Sequence, residues 1–331
     1  YKRQILHRFD SNYRIGKGPC FISEGDEYDT AFFDKESKFL HYKPDIAVIT
    51  SLEFDHADIF DDLEQIKRSF RKFVGLLPET GLIIAHTDDA NVAEVIADAP
   101  CPVQSYGLTP GSDWRIVNPD FRPGGSTFGL YYLGQPFCSL SIKQSGLYNC
   151  LNAAAVAAVI HHLGYDPSVI GAGLADFRGV KRRQEIRGQV NGITIIDDFA
   201  HHPTAVQETL KGLKSAHPDN RLIAVFEPRT NTSRRAIFQQ QYISSFDAAD
   251  LSLIREVAND KPVNGDDLFS SARLADDLQR KGLNARAFGN TDQIIAHLAT
   301  IAQPGDIIAI LSNGGFDNIH ERLLETLKES N

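Results

Sequence analysis

Apolar runs of four to six residues alternate with stretches of helical periodicity along the second half of the chain. Runs at 193–196, 221–226, 249–254, 285–288 and 306–311 read as strands. Between and after them, helices are predicted over about 204–216, 234–246, 267–281, 291–302 and 316–328. Successive βα units of this length predict a mostly parallel, doubly wound sheet with helices on both faces. The first half is less regular. Strands are predicted at 20–23, 45–50 and 81–85, with a helix over about 61–77 whose Ile66, Phe70, Phe73 and Val74 share a face. A short helix follows at 91–97. From 103 to 142, β segments separated by Pro110-Gly111, Pro123-Gly124-Gly125 and Gly134-Gln135 predict an antiparallel patch appended to the sheet. An Ala-rich helix then opens near 146–152 and runs to about Leu163. The basic stretch 177–188, with Arg178, Lys181, Arg182, Arg183 and Arg187, reads as a junction. It divides an α/β chain into domains 1–185 and 186–331.

Chemistry concentrates at strand ends, where open α/β sheets place their ligands. The run 193–196 ends in Asp197-Asp198-Phe199-Ala200-His201-His202-Pro203-Thr204, four titratable groups within six residues. Helix capping explains one such acid, not the whole set. Two earlier strand ends share a layout: Glu24-Gly25-Asp26-Glu27-Tyr28-Asp29, and Glu53-Phe54-Asp55-His56-Ala57-Asp58. Acids crowded there repel unless a cation offsets them, which points to a shared cation site. Asn149 and Asn152 lie three apart at a helix start; Asn149 suits a cap, and Asn152 a ligand-facing amide. Arg229 follows the run 221–226 where it could clamp a carboxylate, and Ser312-Asn313-Gly314-Gly315 offers backbone amides to an anion.

Composition narrows the class. The 331 residues are 42% hydrophobic and 23% charged, enough for two globular domains. A formal net charge of -9 argues against a general nucleic-acid or anionic-membrane surface, and no apolar run reaches transmembrane length. The scattered Cys20, Cys101, Cys138 and Cys150 suit reduced residues of a cytoplasmic protein. The chain opens at Tyr1 and contains no methionine, so its first residue is expected not to be the natural start.

The segments Glu24 to Lys35, Leu52 to Phe60, Asp197 to Thr204, Glu227 to Thr232 and Ser312 to Phe316 together resemble the Mur ligase family. The resemblance runs from about residue 13 to the end. It implies an ATPase-type central domain, here N-terminally incomplete, followed by a Rossmann-like C-terminal domain, with ATP and Mg2+ as cofactors. It also implies an amide-bond-forming reaction through an acyl phosphate. Within the family the motifs resemble enzymes joining the murein tripeptide L-Ala-γ-D-Glu-meso-diaminopimelate to UDP-N-acetylmuramate in cytoplasmic cell-wall recycling. The alternatives are a ligase using L-alanine as the amine, or a non-catalytic binding protein.

Residue by residue, the resemblance assigns Glu24 and His56 to magnesium, Asn149 and Asn152 to adenine, and Asp198 to ribose. Arg183 is implied near the ATP phosphates, Phe199 and His201 near the reacting groups, and Arg229 with Asn231 at the peptide carboxylate. Tyr148 stands where related ligases often have His. Family members also carry an N-terminal UDP-sugar-binding domain and a Gly-rich Lys-Thr phosphate loop. Neither is in this sequence, so the expectation is a chain that binds ATP poorly and does not turn over alone.

Overall fold

Two six-stranded sheets organise the chain, each needing helices on both faces to cover its apolar residues. The computed structural model describes residues 5–30, 32, 34–229, 236–257 and 268–329. In the first sheet, spatial order follows chain order: β1 (Ile46–Ile49), β2 (Leu82–His86), β3 (Val103–Gly107), β4 (Trp114–Arg122), β5 (Gly125–Tyr132) and β6 (Gln135–Ile142). β1 to β4 run parallel, and β4 to β6 form an antiparallel meander. Strand side chains alternate between faces. Ile83 and Ala85 therefore pack with Ile66 and Val74 of α1 (Leu63–Val74) and Val92 of α2 (Ala90–Val95). Leu82 and Ile84 face the opposite core, closed by the alanines of α3 (Leu147–His162) and Ile170 of α4 (Pro167–Asp176).

The second sheet has the order β11-β10-β9-β12-β8-β7. Its strands are β7 (Glu185–Val190), β8 (Ile193–Asp198), β9 (Leu222–Phe226), β10 (Leu251–Arg255), β11 (Ala285–Phe288) and β12 (Ile307–Leu311). All neighbours are parallel except the β7–β8 pair. One face is covered by α5 (Pro203–Ala216), α6 (Tyr242–Ser245) and α7 (Ser271–Arg280), the other by α8 (Thr291–Ile301) and α9 (Ile319–Glu329). The doubly wound sheet matches the expectation. Because β12 lies between β8 and β9, the carboxyl ends of these three strands stand side by side.

Several expectations need correction. Residues 20–23 form no strand: no neighbour pairs with them, and Phe21 and Ile22 are 94% and 88% exposed. The patch at 103–142 is antiparallel only from β4 onward. In place of a helix over 234–246 there are a 3-10 turn at Ala236–Phe238 and the single turn α6, residues 230–235 lying outside the described set. Part of the basic connector is strand β7. Its hairpin to β8 turns on Asn191 and Gly192, with φ of 51° and 76°, the left-handed pair that a tight two-residue hairpin requires. Helix α4 was also not anticipated, although Asp166 accepting from the Ser168 N–H and Pro167 in the first turn are ordinary start signals.

The two sheets meet closely. Phe54, after β1, packs against a core of each sheet and lies 6.1 Å, centroid to centroid, from Phe238. Gly146 at the start of α3 faces Gly212 of α5 so tightly that a Cβ on Gly212 would lie 3.1 Å from the Gly146 Cα. No helix among the described residues is long and apolar enough to cross a membrane.

Candidate active site

Strand β8 is buried to its last residue, so both terminal acids are only 1% exposed. Strand alternation sends them to opposite faces. Asp197 meets Arg182 at 3.2 Å, Arg187 at 3.5 Å and His320 at 3.4 Å. Burial alone would raise its pKa, but His320 and Arg182 outweigh that and hold it below the usual carboxylate range. Asp198 accepts from the backbone N–H groups of Gln184 and Ala200, each at 2.8 Å. Here burial prevails over Arg183 and those amides and pushes the pKa up. Adjacent carboxylates therefore have opposite tendencies. The acid that the resemblance assigns to ribose holds the turn together from inside instead of facing solvent.

The turn itself carries the His201 imidazole. His201 Nδ1 lies 2.9 Å from the Phe199 carbonyl oxygen. A carbonyl can only accept, so Nδ1 carries the hydrogen and Nε2 keeps its lone pair. Burial lowers the His201 pKa against the opposing effect of that carbonyl, which favours the neutral ring. Phe199 packs edge-on at 5.4 Å, and the guanidinium carbons of Arg182 and Arg183 lie 5.2 and 5.7 Å from its centroid.

Neighbouring strand ends complete this side. Glu227, after β9, accepts from Ser312 Oγ at 2.5 Å and pairs with Arg255 at the end of β10. Arg255 also reaches Asp317 at 2.9 Å. Ser312 Oγ accepts from the Gly314 N–H at 2.9 Å. Arg229, half exposed, lies 3.8 Å from Glu227 and crosses Gly314 so closely that any Cβ there would overlap it. Asn231 falls outside the described residues.

The first sheet contributes the segment after β1. His202 Nε2 donates to the Phe54 carbonyl at 3.1 Å, and Thr204 Oγ1 donates to Glu53. His202 Nδ1 is 3.3 Å from Glu53 Oε1 but outside hydrogen-bond geometry. Two strand ends read separately from the sequence thus meet in one seam. His56, at φ 54°, is 2.8 Å from Glu27 Oε1. Burial would lower its pKa, yet Glu27, Asp55 and Asp58 together raise it.

Glu24 is exposed, and the acid at His56 is Glu27. Among the described residues, no three His, Cys, Asp or Glu side chains converge on a metal seat. The asparagines are not a matched pair: Asn149 donates to the Ser145 carbonyl at 2.8 Å, whereas Asn152 is exposed, as is Arg183. The sequence motifs contain Arg182, Glu27 and Thr204 without giving any of them an individual role, and none contains Arg255. Arg255 ends a parallel strand beside Glu227, the signal that could have found it.

This layered pair of sheets agrees with comparisons to known proteins. Residues 21–160 match the Mur ligase middle domain, and residues 182–314 the Mur ligase glutamate ligase domain. The chain belongs to the Mur ligase family, its first sheet being the ATPase-like middle domain and its second the Rossmann-like C-terminal domain. It is 34% identical over 328 residues to the UDP-N-acetylmuramate–L-alanyl-γ-D-glutamyl-meso-2,6-diaminoheptandioate ligase of Haemophilus influenzae, covering 98% of this chain and 69% of that protein. It is 33% identical to the UDP-N-acetylmuramate–L-alanine ligase of Caldanaerobacter subterraneus, covering 96% and 67%. The crystal structure of a murein peptide ligase from Psychrobacter arcticus aligns with 35% identity and a TM-score of 0.62, over 92% of this chain and 62% of that one. The chain therefore spans roughly two thirds of the length of these relatives.

Proposed function

We propose that this chain forms the nucleotide- and amine-binding part of an ATP-dependent ligase joining L-Ala-γ-D-Glu-meso-diaminopimelate to UDP-N-acetylmuramate, in murein recycling. The observation that carries the reading is the seam where the Glu53–His56 segment meets the Phe199–Thr204 turn, beside the strand end bearing Arg229. In this reaction the muramyl carboxylate is activated as an acyl phosphate. The peptide amine attacks the acyl carbon, a C–N bond forms, and the C–O bond to phosphate breaks. The amine proton passes to His201 Nε2, which the Phe199 carbonyl leaves free by fixing hydrogen on Nδ1. Arg229 and Asn231 take the peptide carboxylate, with Phe199 as a further substrate-binding residue. Asn152 and Arg183 face the nucleotide. Asn149 joins them by giving up Ser145, and Asp198 acts through the backbone it orders.

Magnesium supplies charge neutralisation at the phosphates when bound, with Glu24 and His56 as its proposed ligands. In the geometry seen, His56 is hydrogen-bonded to Glu27, a contact that magnesium would displace. An L-alanine ligase is the second reading, favoured by the 33% identity to such an enzyme. Phosphate release by the full-length protein, given UDP-N-acetylmuramate with either tripeptide or L-alanine, separates the two. Turnover with tripeptide is expected; turnover with L-alanine alone would sink the first reading.

A further inference from the structure

Two adjacent arginines of the basic stretch both reach the Phe199 ring but differ in exposure. Arg183 is exposed over the Phe199 ring. The Arg182 side chain is 26% exposed and turns towards Asp197, whose oxygens accept from Nε at 3.2 and 3.4 Å. Its Nη1 donates to the Asn313 carbonyl at 3.5 Å, and its Nη2 to the Ser312 carbonyl. The guanidinium also covers Phe199. The backbone joins in: the Arg182 N–H donates to Glu185 at 2.8 Å, and its carbonyl accepts from the Phe199 N–H at 2.8 Å. This residue holds a left-handed φ of 62°, which non-glycine residues adopt where surrounding contacts impose it.

One end of these contacts is the turn carrying His201, and the other is the loop over which Arg229 lies. We propose that Arg182 is a positioning residue that sets the spacing between His201 and Arg229 by tying Asp197 and Phe199 to Ser312 and Asn313. The planar fork is what the task needs: three nitrogens in fixed directions reach a carboxylate and two successive carbonyls. A lysine ammonium is a point charge and cannot span them. Asp197 keeps the Arg187 guanidinium at 3.5 Å, so neutralising that acid is not left to Arg182 alone.

The inference rests on the ligase reading, and its test separates the two. In the full-length protein, Arg182→Lys and Arg182→Gln should lower kcat/KM for the tripeptide by about 10- to 100-fold, the scale of a small misplacement of reacting groups. The ATP KM should stay unchanged. By hydrogen–deuterium exchange, amides of 199–202 and 312–316 should exchange faster in both variants, while those of β10 and β11 keep their protection. Wild-type kinetics and protection in Arg182→Lys would overturn the proposal. So would activity lost only in proportion to the folded fraction, with unchanged peptide KM, because that marks a purely structural residue. If the wild-type protein forms no amide bond with the tripeptide, the ligase reading fails, and the exchange pattern still decides for or against Arg182.

Discussion

At the scale of single residues, surroundings rather than residue type decide what each titratable group does. Burial lowers the His201 pKa, and one of its nitrogens is committed to a carbonyl. Replacing it with Gln should lower kcat by on the order of 10²- to 10⁴-fold, the usual worth of a general base, with nucleotide binding retained by calorimetry. Because its folded pKa is depressed, the acid limb of the kcat/KM profile should fall below the ordinary imidazole value of about 6.5. The sign for stability follows. Below that value the unfolded chain takes up a proton that the folded site resists, so the contribution is present above it and lost as pH falls. Urea titrations at neutral and mildly acidic pH should show a smaller acid loss in His201→Gln than in wild type. Arg229→Ala should cost about 1.5–3 kcal/mol of peptide binding, the range for hydrogen bonds to charged groups, and raise the peptide KM more than the ATP KM. Gly314→Ala should imitate it, since the added Cβ overlaps the Arg229 side chain. The reverse KM pattern would remove Arg229 from the peptide site.

Among the elements, those with one clear period were legible. Strands β9 and β12 are apolar runs buried along their whole length, β8 and β10 nearly so, and the helices between them start at recognisable caps such as Ser270 and Asn290. Leu210 of α5 is fully buried against this sheet, so Leu210→Ala should cost about 2–5 kcal/mol in denaturant titrations, with the slope unchanged. Elements decided by pairing were not legible. Residues 20–23 have strand-like composition but no partner, and β7 was hidden in a basic stretch until the Asn191-Gly192 turn folded it onto β8. A strand is stable only against a neighbour, and short local windows do not contain that neighbour.

For the whole molecule, the seam between the sheets is the feature that function would need. Glu53→Ala removes the exposed hydrogen bond from Thr204, worth about 0.5–1.5 kcal/mol. Its melting temperature should hardly move, while small-angle scattering should show a more extended average shape; an unchanged profile would show that Phe54 and the Gly146–Gly212 contact suffice to hold the sheets together. The amino-acid sequence by itself determined the α/β class and the mostly parallel, doubly wound sheet of the second half. Those features follow from periodicity and from where polar residues interrupt it, both local properties. Tertiary structure alone decided that Glu27 rather than Glu24 meets His56, that Asp198 faces inward, and that the turn after β8 closes on the segment after β1. These outcomes depend on burial and on contacts between residues nearly 150 positions apart, which no pattern along the chain encodes.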